Sequence, residues 1–195
     1  MRSDYIKPSI YNKIYGYMQY ENALALRLSL ETGLRIGDCL KCRSDDLKGR
    51  TLSFVSQKTG KKGKKVISAD LAKRLRAISS NGYLFVGRFG DKPRTRQTVW
   101  RDVKKAQKHF KIKENLSCHS ARKTYAVEDR KENGLAQVQK DLQHDRIDTT
   151  MLYAFSDMLT PNKQDICNTE NITVFANMVA DIVCERIEHL FDKAQ

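Results

Sequence analysis

The sequence is that of a mainly helical protein with one small antiparallel β-sheet. Apolar residues recur at helical spacing through most of the chain. Residues 50–68 differ, with two β-type runs flanking a turn rich in glycine and lysine. The prolines, Pro8, Pro93 and Pro161, fall singly between periodic segments, and no repeat, low-complexity tract or linker interrupts the pattern. A chain of 195 residues is long enough to bury a core without staples, so it is read as one domain over 1–195.

The elements follow in order. "YENALALRLSLETG" is apolar or small almost throughout from Ala23 to Leu30, as in a helix buried on all sides, and Thr32-Gly33 stops it. "LRIGDCLKCRSDDL" restarts, with Leu34, Ile36, Leu40 and Leu47 apolar. "RTLSFVSQ", "KTGKKGKK" and "KVIS" read as strand, turn and strand, with Gly60 and Gly63 in the turn. "ADLAKRLRAIS" is a helix capped by Ser68, and "YLFVG" is a third strand. Thr95 caps the basic helix "RQTVWRDVKKAQKHF", whose Val99, Val103, Ala106 and Phe110 lie down one side. "SCHSARKTYAVEDRKENG" is a helix ended by Gly134, and "LAQVQKDLQH" and "DTTMLYAFS" are shorter ones. After Tyr153 comes a further helical stripe containing Ile172, Phe175, Val179, Ile182, Val183, Ile187, Leu190 and Phe191.

Composition narrows function. Thirty-six Lys and Arg against 23 Asp and Glu leave +13, which favours a polyanionic partner, nucleic acid first. No apolar run approaches a membrane span and the N-terminus lacks a signal-peptide core, so the expected location is the cytoplasm, on the nucleoid. Five cysteines without framework spacing suit reduced thiols. "CLKC", Cys39 to Cys42, has no second pair and falls in a helix, so it reads as two helical thiols and no metal site is expected. No carboxylate cluster suggests a two-metal nuclease.

The remaining polar residues fit phosphoryl transfer. That chemistry needs a nucleophile at phosphorus, cations on the non-bridging oxygens and an acid for the leaving oxygen. Arginine suits the oxygens, because its fork is planar, bidentate and always charged. Lysine suits the acid, because crowding by other cations lowers its pKa. Arg35 opens a helix after the Thr-Gly break, where amides share an anion, and Asp38 three residues on is placed to hold its side chain. His119 and Arg122 share a helix face, His144 precedes a turn, Tyr153 follows one short helix later, and Lys58 begins the hairpin turn.

Five stretches in this order, "TGLRIGD", "QKTGKK", "HSAR", "LQH" and the tyrosine nine residues beyond that histidine, resemble the catalytic domain of the tyrosine recombinases, the phage-integrase family. The resemblance runs from about Tyr20 to Tyr153 and implies that family's fold and reaction. By it, Tyr153 attacks the scissile phosphate and becomes a 3′-phosphotyrosyl link, Arg35 and Arg122 clamp the non-bridging oxygens, and Lys58 protonates the 5′ oxygen. His119 bonds the phosphate and assists proton transfer at the tyrosine, His144 bonds a phosphate oxygen, and Asp38 is the supporting acid. Neither metal nor ATP is required. Gln143 stands where the family usually has glycine, and Lys123 where histidine is common.

The function expected is therefore a site-specific DNA recombinase or integrase. The alternatives are a type IB topoisomerase and a DNA-binding protein of the same fold that has lost the reaction. Double-stranded DNA is the partner, met through Lys61, Lys62, Lys64, Arg94, Arg96 and Lys123. The chain is expected to be a monomer free in solution and a tetramer in the DNA synapse. The family's N-terminal core-binding domain is not expected here, and residues 169–195 are read as a tail helix able to dock on a neighbouring copy.

Overall fold

The computed structural model describes residues 3–79, 82–88, 90, 92–144, 147–159 and 180. The chain divides into two compact units, Met1–Asp157 and Met158–Gln195. The tail stripe and its docking lie outside the described residues.

The first unit is built round one helix. α2, Tyr20–Thr32, packs against α1 (Pro8–Tyr17), α3 (Ile36–Lys41), α4 (Ala69–Ile78), α5 (Arg96–His109) and α6 (Cys118–Asp141). A helix covered from so many directions has no polar face to present, which is why "NALALRLSL" is nearly all small or apolar. Its buried Leu24, Leu26 and Leu28 contribute about 1.5–3 kcal/mol each by the usual transfer scale. Gln19 supplies no side-chain cap to α2. Asp102 of α5 does so instead, its Oδ2 accepting from the Gln19 amide at 2.8 Å and from Asn22 at 2.9 Å.

Gly33 ends α2 in the left-handed conformation, φ 70°. A Cβ at this position would lie 2.5 Å from Cδ1 of Tyr125, so glycine is required for space as well as for φ. The chain then continues as α3, a 3₁₀ turn at Ser44–Asp46, and a three-stranded antiparallel sheet in the order β1 (Leu47–Lys48), β2 (Thr51–Val55), β3 (Lys62–Val66). β2 alternates as expected, with Leu52 and Phe54 turned into the core. Gly60, φ 68°, lies in the turn, but Gly63 belongs to β3 opposite Phe54, whose ring occupies the place of its side chain.

Two caps are where the sequence puts them: Ser68 Oγ accepts the Leu71 amide and Thr95 Oγ1 the Thr98 amide. Several expectations are corrected. α1 was unforeseen; it opens on Pro8 and buries Tyr11 and Ile14. "YLFVG" is not the third strand. Tyr83 and Val86 form isolated bridges to Arg43 and Pro93, while Leu84 and Phe85 fill the core. Phe110 is exposed, edge-on to Tyr17 and His109. Gly134, φ 81°, breaks the helix as expected, and α6 is two helical halves joined at that kink. α7 (Ile147–Ala154) packs on α6, and α8 (Ser156–Leu159) follows.

Candidate active site

Arg122 is the centre of the site. It lies in the buried first half of α6, and the residue is 2% exposed. Nη1 donates to the carbonyl of Gly33, and Nη2 donates to the carbonyl of Leu142 at 2.8 Å. Both acceptors are at helix ends, where carbonyls lack intrahelical partners. Nη2 also meets Nε2 of His144 at 3.0 Å, and Nε has no partner among the described residues. Burial lowers the pKa of Arg122, and the charge of Arg35 lowers it further.

The tautomer of His144 follows from these contacts. A guanidinium has donors only, so Nε2 of His144 accepts and the ring proton lies on Nδ1. Nδ1 donates in turn to Oγ1 of Thr150, 3.1 Å away and fully buried on α7. One turn on along the same helix is Tyr153. Its ring stands edge-on to His144 with centroids 5.3 Å apart, and Cζ of Arg122 is 5.8 Å from the ring centre. Tyr153 is half-buried.

Arg35 and His119 complete the cluster. Arg35 is the half-buried residue that caps α3 in extended conformation, and its charge reaches both Arg122 and His119. His119 meets solvent on one side but is crowded by protein on the other. This loss of hydration lowers its pKa, and the charges of Arg122, Arg96, Arg35 and Lys123 add to the effect. The site is thus a strongly positive cluster with a phenol beside it.

Asp38 does not hold Arg35 among the described residues. Its buried Oδ1 accepts the amide of Gln57 at 3.0 Å, and Lys41 Nζ donates to Oε1 of Gln57. Asp38 therefore ties α3 to the hairpin turn, one residue before Lys58. Lys58 itself is exposed on that turn, and the described contacts do not join it to the arginine–histidine cluster.

The expected DNA contacts divide. Lys61, Lys62, Lys64 and Arg96 are exposed. Arg94 is instead spent on the start of α2, with Nη1 donating to Gln19 and Asn22 at 3.2 and 3.1 Å and Nη2 3.3 Å from Glu21. Lys123 is buried, its ammonium donating to the carbonyl of Ser3 beneath the N-terminal segment. Both are engaged within their own chain, Arg94 by amide oxygens and a carboxylate and Lys123 by a carbonyl. Cys39 and Cys42 are buried thiols; burial pushes the pKa of Cys42 up to about 12. Thr150 and the carbonyls of Gly33 and Leu142 were missed. Only Thr150 had a signal, since it lies three residues before Tyr153 on a helix.

The match to the phage integrase family model spans residues 5–159, and the chain belongs to that family. Comparison with curated protein sequences gives no match. Among solved structures it resembles XerA recombinase, with TM-score 0.66 and 18% identity over 91% of this chain. It also resembles a lambda integrase dimer bound to a COC′ core site, with TM-score 0.69 and 21% identity over 80% of this chain. For the catalytic domain of bacteriophage HP1 integrase the TM-score is 0.61, with 20% identity over 80% of this chain and 89% of that one. The match spans 65% of the XerA chain and 49% of the lambda integrase chain, less than two thirds of either. The shared architecture is the tyrosine-recombinase catalytic-domain fold.

Proposed function

We propose that this protein is a site-specific DNA recombinase that breaks and rejoins strands through Tyr153. The observation that carries the reading is the buried guanidinium of Arg122, held by two carbonyls and facing His144 and Tyr153. Burying an arginine is costly unless its donors are met and its charge is used, and here an anionic phosphate beside Arg35 would use it.

In the proposed step the Tyr153 oxygen attacks phosphorus and the bond from phosphorus to the 5′ oxygen breaks. The tyrosine proton leaves toward His119, whose lowered pKa keeps its ring neutral and able to accept it. Arg35 and Arg122 hold the non-bridging oxygens as charge builds on them, and His144, accepting from Arg122 and donating to Thr150, acts by orienting that guanidinium. Lys58 gives its proton to the departing 5′ oxygen. Of the other hairpin lysines, Lys65 is already engaged with Asp141, whereas Lys61, Lys62 and Lys64 are exposed along the backbone's approach. The 3′-phosphotyrosine conserves the energy of the broken bond, so attack by a 5′-hydroxyl reverses the step without a nucleotide, and the two arginines supply the positive charge that phosphoryl transfer needs. Lys61, Lys62, Lys64 and Arg96 contact flanking phosphates, and several copies assemble on double-stranded DNA, a reading supported by the DNA-bound lambda integrase dimer.

The test uses a random duplex library, nicked near candidate sites so that cleavage is trapped. The wild-type protein should become covalently joined to a subset sharing one sequence, and Tyr153→Phe, which keeps the ring, should give no adduct. An adduct formed by the phenylalanine variant would move the nucleophile elsewhere.

A further inference from the structure

We propose that Lys65, Asp141 and Tyr125 are positioning residues that aim the Arg122 guanidinium, an inference that rests on the proposed function. The three form a closed network. The Tyr125 hydroxyl donates to Oδ2 of Asp141 at 2.7 Å, Lys65 Nζ lies 3.0 Å from Oδ1 of Asp141, and the same ammonium donates to the Tyr125 oxygen at 3.3 Å. Gln137 closes it from one turn earlier, donating to Oδ1 at 3.0 Å. Lys65 comes from β3, Tyr125 from the first half of α6, and Asp141 from the end of the second half, beyond the kink at Gly134.

The location of the network is what gives it a role. Arg122 has two carbonyl acceptors, and the network fixes both. Leu142 is the residue after Asp141, so holding Asp141 sets the direction of the Leu142 carbonyl. Gly33 is held from the other side: the Tyr125 ring and Cδ2 of Leu142 crowd it so closely that a Cβ would lie 2.5 and 2.8 Å from them. Helix α6 cannot do this alone, because Arg122 and Leu142 lie on opposite sides of its non-helical residue. The hydroxyl of Tyr125 stays a donor through the physiological range, since burial and the bond to Asp141 raise its pKa. The ammonium of Lys65 offsets the carboxylate, which leaves the charge of Arg122 for the substrate.

The experiment compares Tyr125→Phe and Asp141→Asn with wild type on two duplexes, one with an ordinary scissile phosphate and one with a methylphosphonate there. The methylphosphonate replaces an anionic oxygen by a methyl group, so its cleavage depends little on a well-aimed guanidinium. On the phosphodiester both variants should cleave about tenfold to a hundredfold more slowly, the loss expected when a catalytic group shifts by about an ångström. DNA affinity should be unchanged, and the deficit should vanish on the methylphosphonate. Arg122→Lys supplies the reference pattern. Wild-type cleavage of the phosphodiester, or an equal deficit on both duplexes, would overturn the inference, the latter by showing a role in the fold alone. Should Asp141→Asn fail to fold, Tyr125→Phe decides by itself, since it removes a single oxygen. If the wild-type protein forms no tyrosyl adduct, the proposed function falls, and this inference with it, before any variant is compared.

Discussion

Replacing Thr150 with valine would remove one oxygen from the least exposed part of the site and almost no volume. The hydroxyl is fully buried and accepts from Nδ1 of His144 at 3.1 Å. Valine has the same branched shape and a similar helix propensity, so α7 should persist. What is lost is the acceptor that keeps the histidine proton on Nδ1. The ring must then leave a buried donor unpaired or move the proton to Nε2, where it confronts the donors of Arg122. An unsatisfied buried donor costs about 1–3 kcal/mol. Expressed wholly in the cleavage step, that is a slowing of about fivefold to a hundredfold. The assay is single-turnover adduct formation on a nicked duplex, read beside the imidazole ¹⁵N shifts of His144, which separate the two tautomers. Wild-type cleavage with the proton still on Nδ1 would show that Thr150 does not set the histidine, and the reasoning would fail.

Lys58→Ala should abolish cleavage of an ordinary duplex and recover it when the 5′-bridging oxygen is sulfur, because a thiolate leaves without a proton; recovery in Lys61→Ala instead would transfer the acid role. Gln143 has φ 52° where glycine is unstrained, at a cost of about 1 kcal/mol that glycine's greater freedom when unfolded partly offsets. Gln143→Gly should therefore raise the melting temperature by about 1–2 °C, and a fall would show that the side chain contributes more than its backbone strain costs. His119 is held below its ordinary pKa, so the folded chain binds fewer protons there than the unfolded one. The stability tied to its neutral form is complete above about pH 6.5 and declines as pH falls through that value toward the folded pKa. The difference in melting temperature between wild type and His119→Gln should shift against the wild type on acidification; a difference independent of pH would contradict the crowding at this ring.

The legible parts of this protein were those encoded by local pattern. The apolar body of α2, the caps at Ser68 and Thr95 and the alternation of β2 are each written within a few residues, because burial on all sides, an orphan amide and a pleat each impose their own spacing. α1 escaped notice because only Tyr11 and Ile14 are buried, too few to make a stripe. The two-residue β1 carries no pattern at all, while "YLFVG" has the composition of a strand and serves as core filling. For the site, residue types and order marked Arg35, Lys58, His119, Arg122, His144 and Tyr153, and so the chemistry worth testing. Partnership was beyond the sequence. Whether an arginine is free or spent depends on what chain folding brings beside it: Arg94 is taken by the start of α2 and Lys123 by the N-terminal segment, whereas two helix-end carbonyls from distant parts of the chain orient Arg122 beside His144 and Tyr153. Hydrogen bonds act over about 3 Å, whereas these partners lie tens of residues apart, so only the tertiary structure decides which cations remain for the phosphate.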